Sequence, residues 1–330
     1  MCIRDRFGSV GKLSRFLEAK LEGHSGKFIR RVLGANLCRV NGKVERFAST
    51  SLSQGEIVEL SPVFQSVLTP KLKKIEILYE NKDFRIVNKP SGFVCSKENS
   101  LLKSYELVHR LDKDTTGLLI LAKSSKAKTK LIQLFKSFSI SKSYLALVDG
   151  VVLKKEGTIQ SLLIKKGFYH GQTIWGSSPY QGLNAKTYYK VLETGKKASF
   201  VLIKPETGRT HQIRVHMAEM GHPILVDPHY ARTYRSLIVS PRPLLHAYGL
   251  QFKYQDQEID VSAPIPEDFK KASVGCFMGM RFLREPIFYE RHEKGRNNHN
   301  SDEYCKEIEE SSNPFHESCK NSTKIVRNSQ

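Results

Sequence analysis

The sequence predicts an α+β protein with two domains of unequal size. Its 330 residues exceed the length of one small module, and its 39% apolar content is enough for packed cores. Apolar residues at helical spacing mark the start of the chain: Leu13, Phe16, Leu17 and Leu21. Residues 75–289 instead hold mostly strand-like stretches between turns. These observations favour a small helical module followed by a larger, sheet-dominated domain.

The chain is strongly basic, with 53 Lys and Arg against 33 Asp and Glu and a formal net charge of +20. Residues 290–330 carry seven basic and eight acidic side chains, so the excess belongs to the rest of the chain. A basic folded body of this kind is typical of proteins that bind a polyanion. Because no apolar run reaches the ~20 residues that span a bilayer, we expect nucleic acid rather than a membrane as the partner.

The six cysteines indicate the compartment. None forms a Cys-x-x-Cys pair, and their wide spacing argues against a zinc knuckle or a compact disulfide framework. The N-terminus also lacks the apolar core of a secretion signal. We therefore expect reduced thiols in a cytoplasmic protein.

The first 62 residues are predicted to comprise an extension and a small domain. Residues 1–10 are expected to form no element of the fold, because the first six read as translated adapter sequence that is not native. Residues 11–62 read as two helices, a hairpin and a closing strand. Ser25 is placed to cap the second helix, and Asn41-Gly42 is placed to turn the hairpin.

This helix–helix–hairpin order resembles the S4 RNA-binding domain, through the segments KFIRRVLGANLCRVNGKV and LSQGEIVEL. The resemblance implies that the second helix and the hairpin face folded RNA. The cations that they would present are Lys27, Arg30, Arg31, Arg39 and Lys43. An ordinary solvated helix face is the alternative for any such cluster.

The remaining chain divides into a linker, a large domain and a tail. Residues 63–74 contain Pro70 and the basic run Lys71, Lys73 and Lys74, and are predicted to be a linker. Residues 75–289 form the large domain, and residues 290–330, rich in Asn, Ser, Glu and Lys, are expected to be disordered. Within the large domain we predict helices at 124–138 and 211–220, and strands at 144–148, 185–192, 199–204, 250–253 and 258–261.

A first chemical motif lies in the segment VHRLDKDTTG, which contains Asp112. Its carboxylate is flanked by Arg110 and Lys113, and such neighbours favour the ionised form that a nucleophile requires. A salt-bridged surface turn is the plain alternative. The stretch also fits the D-x-D-x-T loop of Mg²⁺-dependent aspartyl phosphotransferases, although the apolar strand before it and the further acidic ligands are missing.

A second motif is the segment KPETGRTHQIRVH. Its two histidines, His211 and His216, are five residues apart rather than the four of a metal-binding helix face, so we predict no metal site. Arg214 is suited to a two-oxygen pair with a carboxylate, because its guanidinium presents a planar fork of donors.

Together the motifs resemble the RluA family of RNA pseudouridine synthases. The matching segments, in order, are IVNKPSGFVC, VHRLDKDTTGLLILAK, KSYLALVDG, KPETGRTHQIRVH, LLHAYGLQF and SAPIPEDF. They cover about residues 75–270, and an S4 module in front of such a domain is a familiar pairing in the family. The resemblance implies a mixed, mainly antiparallel sheet with flanking helices, and isomerisation of uridine to pseudouridine in RNA without cofactor or metal.

The resemblance also implies roles for individual residues. Asp112 would be the catalytic carboxylate, Arg214 would grip it, and Tyr144 would stack on the flipped base. Arg110 would fill the space that the extruded nucleotide leaves, because base extrusion costs free energy. Phosphate contacts are expected from Lys89 and Arg209. His109 and His211 are expected to hold the local turns rather than to transfer protons.

The expected substrate is large-subunit ribosomal RNA, with transfer RNA as the runner-up, and the enzyme is expected to act as a monomer. A non-catalytic RNA-binding or ribosome-assembly protein is the main rival, since the basic body and the S4-like module fit it equally well. The combination of Asp112, Tyr144 and Arg214 argues against that rival.

Overall fold

A computed structural model describes residues 3–6, 11–61, 64, 75–96, 99, 102, 104–169, 172–231 and 238–276. The chain divides into two units at residue 70. Most of the predicted linker at 63–74 and all of the tail at 290–330 lie outside the described residues. Within the described residues, no helix is both long and apolar enough to cross a membrane.

Within the described residues, the N-terminal unit contains two helices and two small sheets. The helices are α1 (Leu13–Lys20) and α2 (Gly26–Gly34). The strands are β1 (Ile3–Arg6), β2 (Gly11–Lys12), β3 (Cys38–Val40), β4 (Lys43–Val44), β5 (Ser51–Leu52) and β6 (Ile57–Leu60). Four strands pair in the order β1-β6-β3-β4, and β2 pairs with β5.

Local sequence signals explain the helix and the hairpin of this unit. The Ser25 hydroxyl accepts a hydrogen bond from the Phe28 N–H at 3.3 Å, so Ser25 caps α2 as predicted. The Asn41-Gly42 turn between β3 and β4 has positive φ at both residues, which is the geometry that this pair favours. The predicted helix–helix–hairpin order is therefore present.

Strand β1 corrects the expectation that residues 1–10 form no element. It pairs antiparallel with β6, with Ile3 opposite Leu60 and Arg6 opposite Ile57. The segment Ile-Arg-Asp-Arg lacks apolar alternation, so its side chains give no strand signal. Strand pairing uses main-chain donors and acceptors that every residue except proline carries, and the edge of β6 supplies them.

The larger unit is built on one extensive sheet. Its helices are α3 (Ser125–Lys136), α4 (Gln212–Glu219) and α5 (Glu267–Cys276). Its strands are β7 (Glu76–Glu80), β8 (Phe84–Lys89), β9 (Glu106–Leu107), β10 (Thr116–Ala122), β11 (Ser141–Asp149), β12 (Glu156–Tyr169), β13 (Gln172–Ser178), β14 (Leu183–Thr194), β15 (Ala198–Pro205), β16 (Leu245–Tyr254) and β17 (Gln257–Ser262). The sheet order is β13-β12-β14-β15-β11-β16-β10-β8-β7, with β17 beside β16 and β9 beside β10.

The sheet is mixed and mainly antiparallel, as predicted. Strands β10 and β16 pair parallel, whereas the other pairs recorded between its strands are antiparallel. The α+β fold class is therefore confirmed. The β12–β13 hairpin was not predicted, because it lies at the sheet edge and most of its described side chains are half-buried or exposed. Its apolar alternation is correspondingly weak.

The centre of the sheet fixes the loop that precedes β10. Every residue of β10 is buried, and Gly117 there has φ +107°. A β-carbon at Gly117 would collide with the Ala247 backbone of β16, so this close approach requires glycine. The Thr116 hydroxyl also lies 2.9 Å from His246 Nδ1 of β16. The segment that carries Asp112 thus enters the sheet at a rigid point.

Candidate active site

Asp112 lies on the loop between β9 and β10, between two open clefts of about 520 and 510 Å³. Its side chain is 21% exposed. The loop is closed by a hydrogen bond from the Thr115 N–H to the Asp112 carbonyl at 3.1 Å. The first cleft is also lined by Tyr144 and Arg209, and Arg214 lines both clefts. Asp112 is therefore accessible to a large ligand from either side.

Arg214 of α4 contacts two carboxylates rather than one. Its Nη1 donates to Asp112 Oδ2 at 3.0 Å. Its Nε and Nη2 donate to Asp227 Oδ2 and Oδ1 at 2.7 and 2.9 Å. The predicted Arg214–Asp112 contact is present, but the two-oxygen grip expected on Asp112 is made with Asp227. The fork can face only one carboxylate, and the buried one takes it.

Asp227 is the principal site residue that the sequence analysis missed. Its side chain is fully buried, and Oδ1 also accepts the N–H groups of His229 and Tyr230 at 2.9 and 3.2 Å. Burial alone would raise the pKa of Asp227, but the Arg214 charge and hydrogen bonds outweigh it and leave the pKa below its usual value. An acid between the apolar run Ile-Leu-Val and a proline was the available signal.

The Arg214 guanidinium is correspondingly held in its charged form. Burial lowers the pKa of Arg214, but the carboxylates of Asp227 and Asp112 together raise it well above the usual value. The ring of Tyr230 lies 5.0 Å from the centre of the guanidinium. Arg214 is therefore a fixed positive charge with one N–H directed at Asp112.

Tyr144 lies on β11 and faces the same cleft as Asp112. It packs against two buried clusters, one that contains Val148 and Ile203 and one that contains Leu119 and Ala247. Burial raises the pKa of its hydroxyl well above the usual value, and the nearby negative charge of Asp112 adds to the effect. Tyr144 thus offers a neutral phenol and an aromatic face beside the carboxylate.

Of the three histidines in the two chemical motifs, His109 and His211 border the Asp112 cleft and are held by hydrogen bonds. His109 Nε2 accepts the Ile120 N–H at 2.9 Å, and burial lowers the pKa of His109 to about 3. His211 has a left-handed backbone, and its Nδ1 lies 2.7 Å from the Tyr230 hydroxyl. Burial lowers the pKa of His211 to about 4, and its Nε2 lies 3.8 Å from Asp112 Oδ2. Both rings are neutral at pH 7 and brace their loops.

Lys89 does not have the geometry of a phosphate contact, which corrects that expectation. Its side chain is fully buried, and Nζ donates to the carbonyls of Pro90, Phe93 and Lys113 at 2.9, 3.0 and 2.9 Å. Burial lowers the pKa of Lys89 to about 8. The sequence shows a lysine at a strand end but not the face to which it turns. The ammonium therefore ties the end of β8 to the Asp112 loop.

The remaining predicted RNA contacts lie on the surface. Arg110 and Arg209 are exposed and line the first cleft, and Arg209 Nε donates to the Asn184 carbonyl at 3.1 Å. In the N-terminal unit, Arg39 is half-buried and the other four predicted cations are exposed: Lys27, Arg30, Arg31 and Lys43. These groups are placed where a polyanion can reach them.

Lys142 is a second site residue that the sequence analysis missed, and it is a cation. It lies two residues before Tyr144 on β11, lines the same cleft, and its Nζ lies 3.4 Å from the Thr207 carbonyl. Burial lowers the pKa of Lys142 to about 8. Its signal was the Lys-x-Tyr spacing, because residues two apart on a strand share a face.

The described residues contain no group of three or more His, Cys, Asp or Glu side chains placed to hold a metal ion. Among the described residues, the Asp-x-Asp-x-Thr stretch at 112–116 thus lacks a cluster of acidic partners of the kind that a Mg²⁺-dependent phosphotransferase requires. Arg214, a cation, occupies the position beside Asp112.

Comparisons with known proteins agree on one family. The RNA pseudouridylate synthase family profile matches residues 83–219. The ribosomal large subunit pseudouridine synthase C of Pasteurella multocida is 31% identical over 79% of this chain and 88% of its own length. That of Escherichia coli is 32% identical over 83% and 94%. The solved structure of human RNA pseudouridylate synthase domain containing 1 matches with a TM-score of 0.50 and 28% identity, over 59% of this chain and 85% of that one.

Proposed function

Because the chain belongs to the RluA family of RNA pseudouridine synthases, we propose that it isomerises uridines of large-subunit ribosomal RNA to pseudouridine. The names of the two bacterial relatives support the choice of substrate, and the chain spans most of their length. The observation that carries the proposal is the Asp112–Arg214 contact in a cleft shared with Tyr144. Transfer RNA is the alternative substrate.

The target base must leave its stack before it can reach Asp112. Extrusion costs a few kcal/mol when the base is paired. Arg110 is exposed, lines both clefts and lies two residues before Asp112, so its guanidinium is placed to fill the vacated space and to contact phosphate. Arg209 is exposed in the first cleft too, where it is placed to contact a phosphate of the same RNA strand.

The reaction breaks the bond from the ribose C1′ to N1 of the base and forms a bond from C1′ to C5. The proton on C5 is lost and N1 gains one, so atoms and electrons balance without a redox partner. Asp112 serves either as the nucleophile at C1′ or as the base that removes a ribose proton. Both routes use its carboxylate, whose charge the Arg214 N–H opposes at 3.0 Å.

Tyr144 and the histidines have supporting roles in this proposal. The phenol of Tyr144 stacks on the flipped base and, being neutral, adds no repulsion to Asp112. His109 and His211 hold their loops through hydrogen bonds to the Ile120 N–H and the Tyr230 hydroxyl. In the N-terminal unit, the S4-like surface of Lys27, Arg30, Arg31, Arg39 and Lys43 binds folded RNA. The enzyme acts as a cytoplasmic monomer.

The test compares the native protein with Asp112→Asn on unmodified transcripts of large-subunit ribosomal RNA and on unmodified transfer RNA. Pseudouridines are mapped after incubation, and RNA affinity and thermal unfolding are measured in parallel. We expect conversion of specific ribosomal uridines by the native protein, none by Asp112→Asn, and similar affinity for both. Conversion by Asp112→Asn would overturn the role of Asp112. Conversion confined to transfer RNA would replace the proposed substrate.

A further inference from the structure

An exposed aromatic ring, that of Phe138, lies at the solvent edge of the first cleft. Phe138 follows the C-terminus of α3, and its side chain is 59% exposed. It lines the same cleft as Asp112 and Tyr144. Other exposed aromatic residues of the described chain, Phe47, Phe168 and Tyr180, line neither of the two clefts. The position of Phe138 is therefore unusual among them.

The backbone of Phe138 adopts a strained conformation, and its ring remains largely exposed to solvent. Its φ is +57°, in the left-handed region that disfavours residues with a β-carbon. The Ser139 N–H donates to the Leu134 carbonyl at 2.9 Å and the Phe138 N–H to the Phe135 carbonyl at 3.3 Å. This is the pattern of a helix end whose left-handed position is usually glycine. A large apolar residue here is more than half exposed and gains only partial burial against the strain, which points to a use for the ring.

The cleft that Phe138 lines carries more cationic than anionic side chains. Lys136, Lys142 and Arg209 line the same cleft. The carboxylate of Glu206 also lines it, but Lys186 Nζ lies 2.7 Å from that carboxylate and opposes its charge. Aromatic faces set among cations are the arrangement by which proteins hold single-stranded nucleic acid, since the bases stack while the cations meet the phosphates.

We propose that Phe138 is the stacking platform for a second nucleobase, one that neighbours the target uridine. The inference rests on the proposed function and extends it to a specific subsite. Tyr144, half-buried in the cleft, receives the target base, whereas Phe138, at the solvent edge, receives the neighbour. Stacking alone tolerates any base, so the subsite adds affinity and requires an unpaired neighbour rather than a particular sequence.

The test measures RNA affinity in the Asp112→Asn background, where no conversion occurs during binding. The probes are a short oligouridine and the ribosomal RNA fragment that contains the mapped uridine. Adding Phe138→Ala or Phe138→Gly should weaken binding about 5- to 150-fold, the usual effect of removing one stacking ring. Phe138→Trp should bind as tightly as the parent. The matched control is Tyr180→Ala, which removes an exposed ring outside the clefts and should change nothing.

Thermal stability tests the stacking role of Phe138 independently of RNA affinity. Phe138→Gly relieves the left-handed strain, so its melting temperature should rise while its RNA affinity falls. A merely structural role would lower both quantities. In the ribosomal fragment, an abasic substitution at the stacked neighbour should weaken binding by the parent but not by Phe138→Ala.

Two outcomes separate this inference from the proposed function. If the native protein converts no uridine, the proposed function fails, while the oligouridine affinities still decide whether Phe138 stacks. If conversion is observed but Phe138→Ala and Phe138→Gly bind both probes as tightly as Tyr180→Ala does, the stacking subsite is overturned and the function stands.

Discussion

The interior of the larger unit and the surface of the N-terminal unit use positive charge in opposite ways. In the larger unit, Arg214 has only 7% of its side chain exposed and Lys89 has none, and each donates three hydrogen bonds to acceptors fixed by the fold. In the N-terminal unit, Arg30 and Arg31 project from α2 into solvent. The first arrangement positions neighbouring groups, and the second leaves the charge free for a partner.

The difference follows from the cost of removing a charge from water. A buried cation is tolerated only when several acceptors replace its hydration, so its position is determined tightly. An exposed cation keeps its water and contributes mainly salt-dependent affinity for a polyanion. Substitution of a buried cation should therefore cause a large loss of activity or stability that does not depend on salt concentration. Substitution of an exposed cation should cause a small loss of RNA affinity that does depend on it.

The largest effect is expected from Arg214→Lys. An ammonium cannot bridge two carboxylates as the guanidinium fork does, so Asp112 or Asp227 loses its partner. We expect the single-turnover rate of pseudouridine formation to fall by about 10²- to 10³-fold, as for other losses of a fixed donor at an active site. Arg209→Lys, at an exposed position of the same cleft, is the control and should cost far less. Equal effects of Arg214→Lys and Arg209→Lys on the single-turnover rate would contradict the contrast between buried and exposed cations.

The second largest effect concerns protein stability. It distinguishes the two carboxylates that Arg214 contacts, those of Asp227 and Asp112. Asp227→Asn leaves part of a buried charge uncompensated and should lower the free energy of unfolding by about 3 kcal/mol. Asp112→Asn, at the partly exposed end with one hydrogen bond, should lower it by less than about 1 kcal/mol. Urea unfolding measures both. Similar losses would mean that the burial of Asp227 does not determine its contribution.

Acid should destabilise the interior through histidines that are buried without charge. Burial lowers the pKa of His109 and His246 to about 3 and that of His211 to about 4, whereas unfolding restores values near 6.5. The unfolded state therefore takes up more protons below pH 6.5, and stability falls from there toward pH 4. We expect a loss of about 2 kcal/mol per histidine between pH 7 and pH 5. In His109→Gln the loss of stability between pH 7 and pH 5 should be smaller by about 2 kcal/mol. An unchanged loss would show that His109 does not contribute to the acid destabilisation.

The smallest effect is expected from the exposed cations of the N-terminal unit. Replacing Arg30 and Arg31 by glutamine should reduce the slope of log affinity against log salt by roughly 0.7–0.9 for each lost phosphate contact. The paired variant Lys12→Gln/Arg15→Gln removes the same charge from the start of the unit and should leave the slope unchanged. A salt titration in which both pairs behave alike would remove α2 from the RNA-binding surface. Until then the S4-like role stays a prediction.

Local patterns in the sequence were sufficient for much of the fold and for the core of the site. The apolar spacing of α2 and the strand composition of residues 144–148 depend only on neighbouring residues, and both elements were predicted. Asp112 and Arg214 were identified because each stands within a specific motif. The β12–β13 hairpin was missed because edge strands with little burial lack the alternation that reveals a strand.

Tertiary structure alone decided how the charges are used. Asp112 and Arg214 are 102 residues apart, and the fork of Arg214 is directed by Asp227, whose pairing with Arg214 arises only when their separate segments pack together. Lys89 likewise turns inward because the Pro90, Phe93 and Lys113 carbonyls converge on it. Periodicity is a property of adjacent residues, whereas the free energy of a charge depends on every acceptor and every water near it. That environment exists only once distant segments have come together.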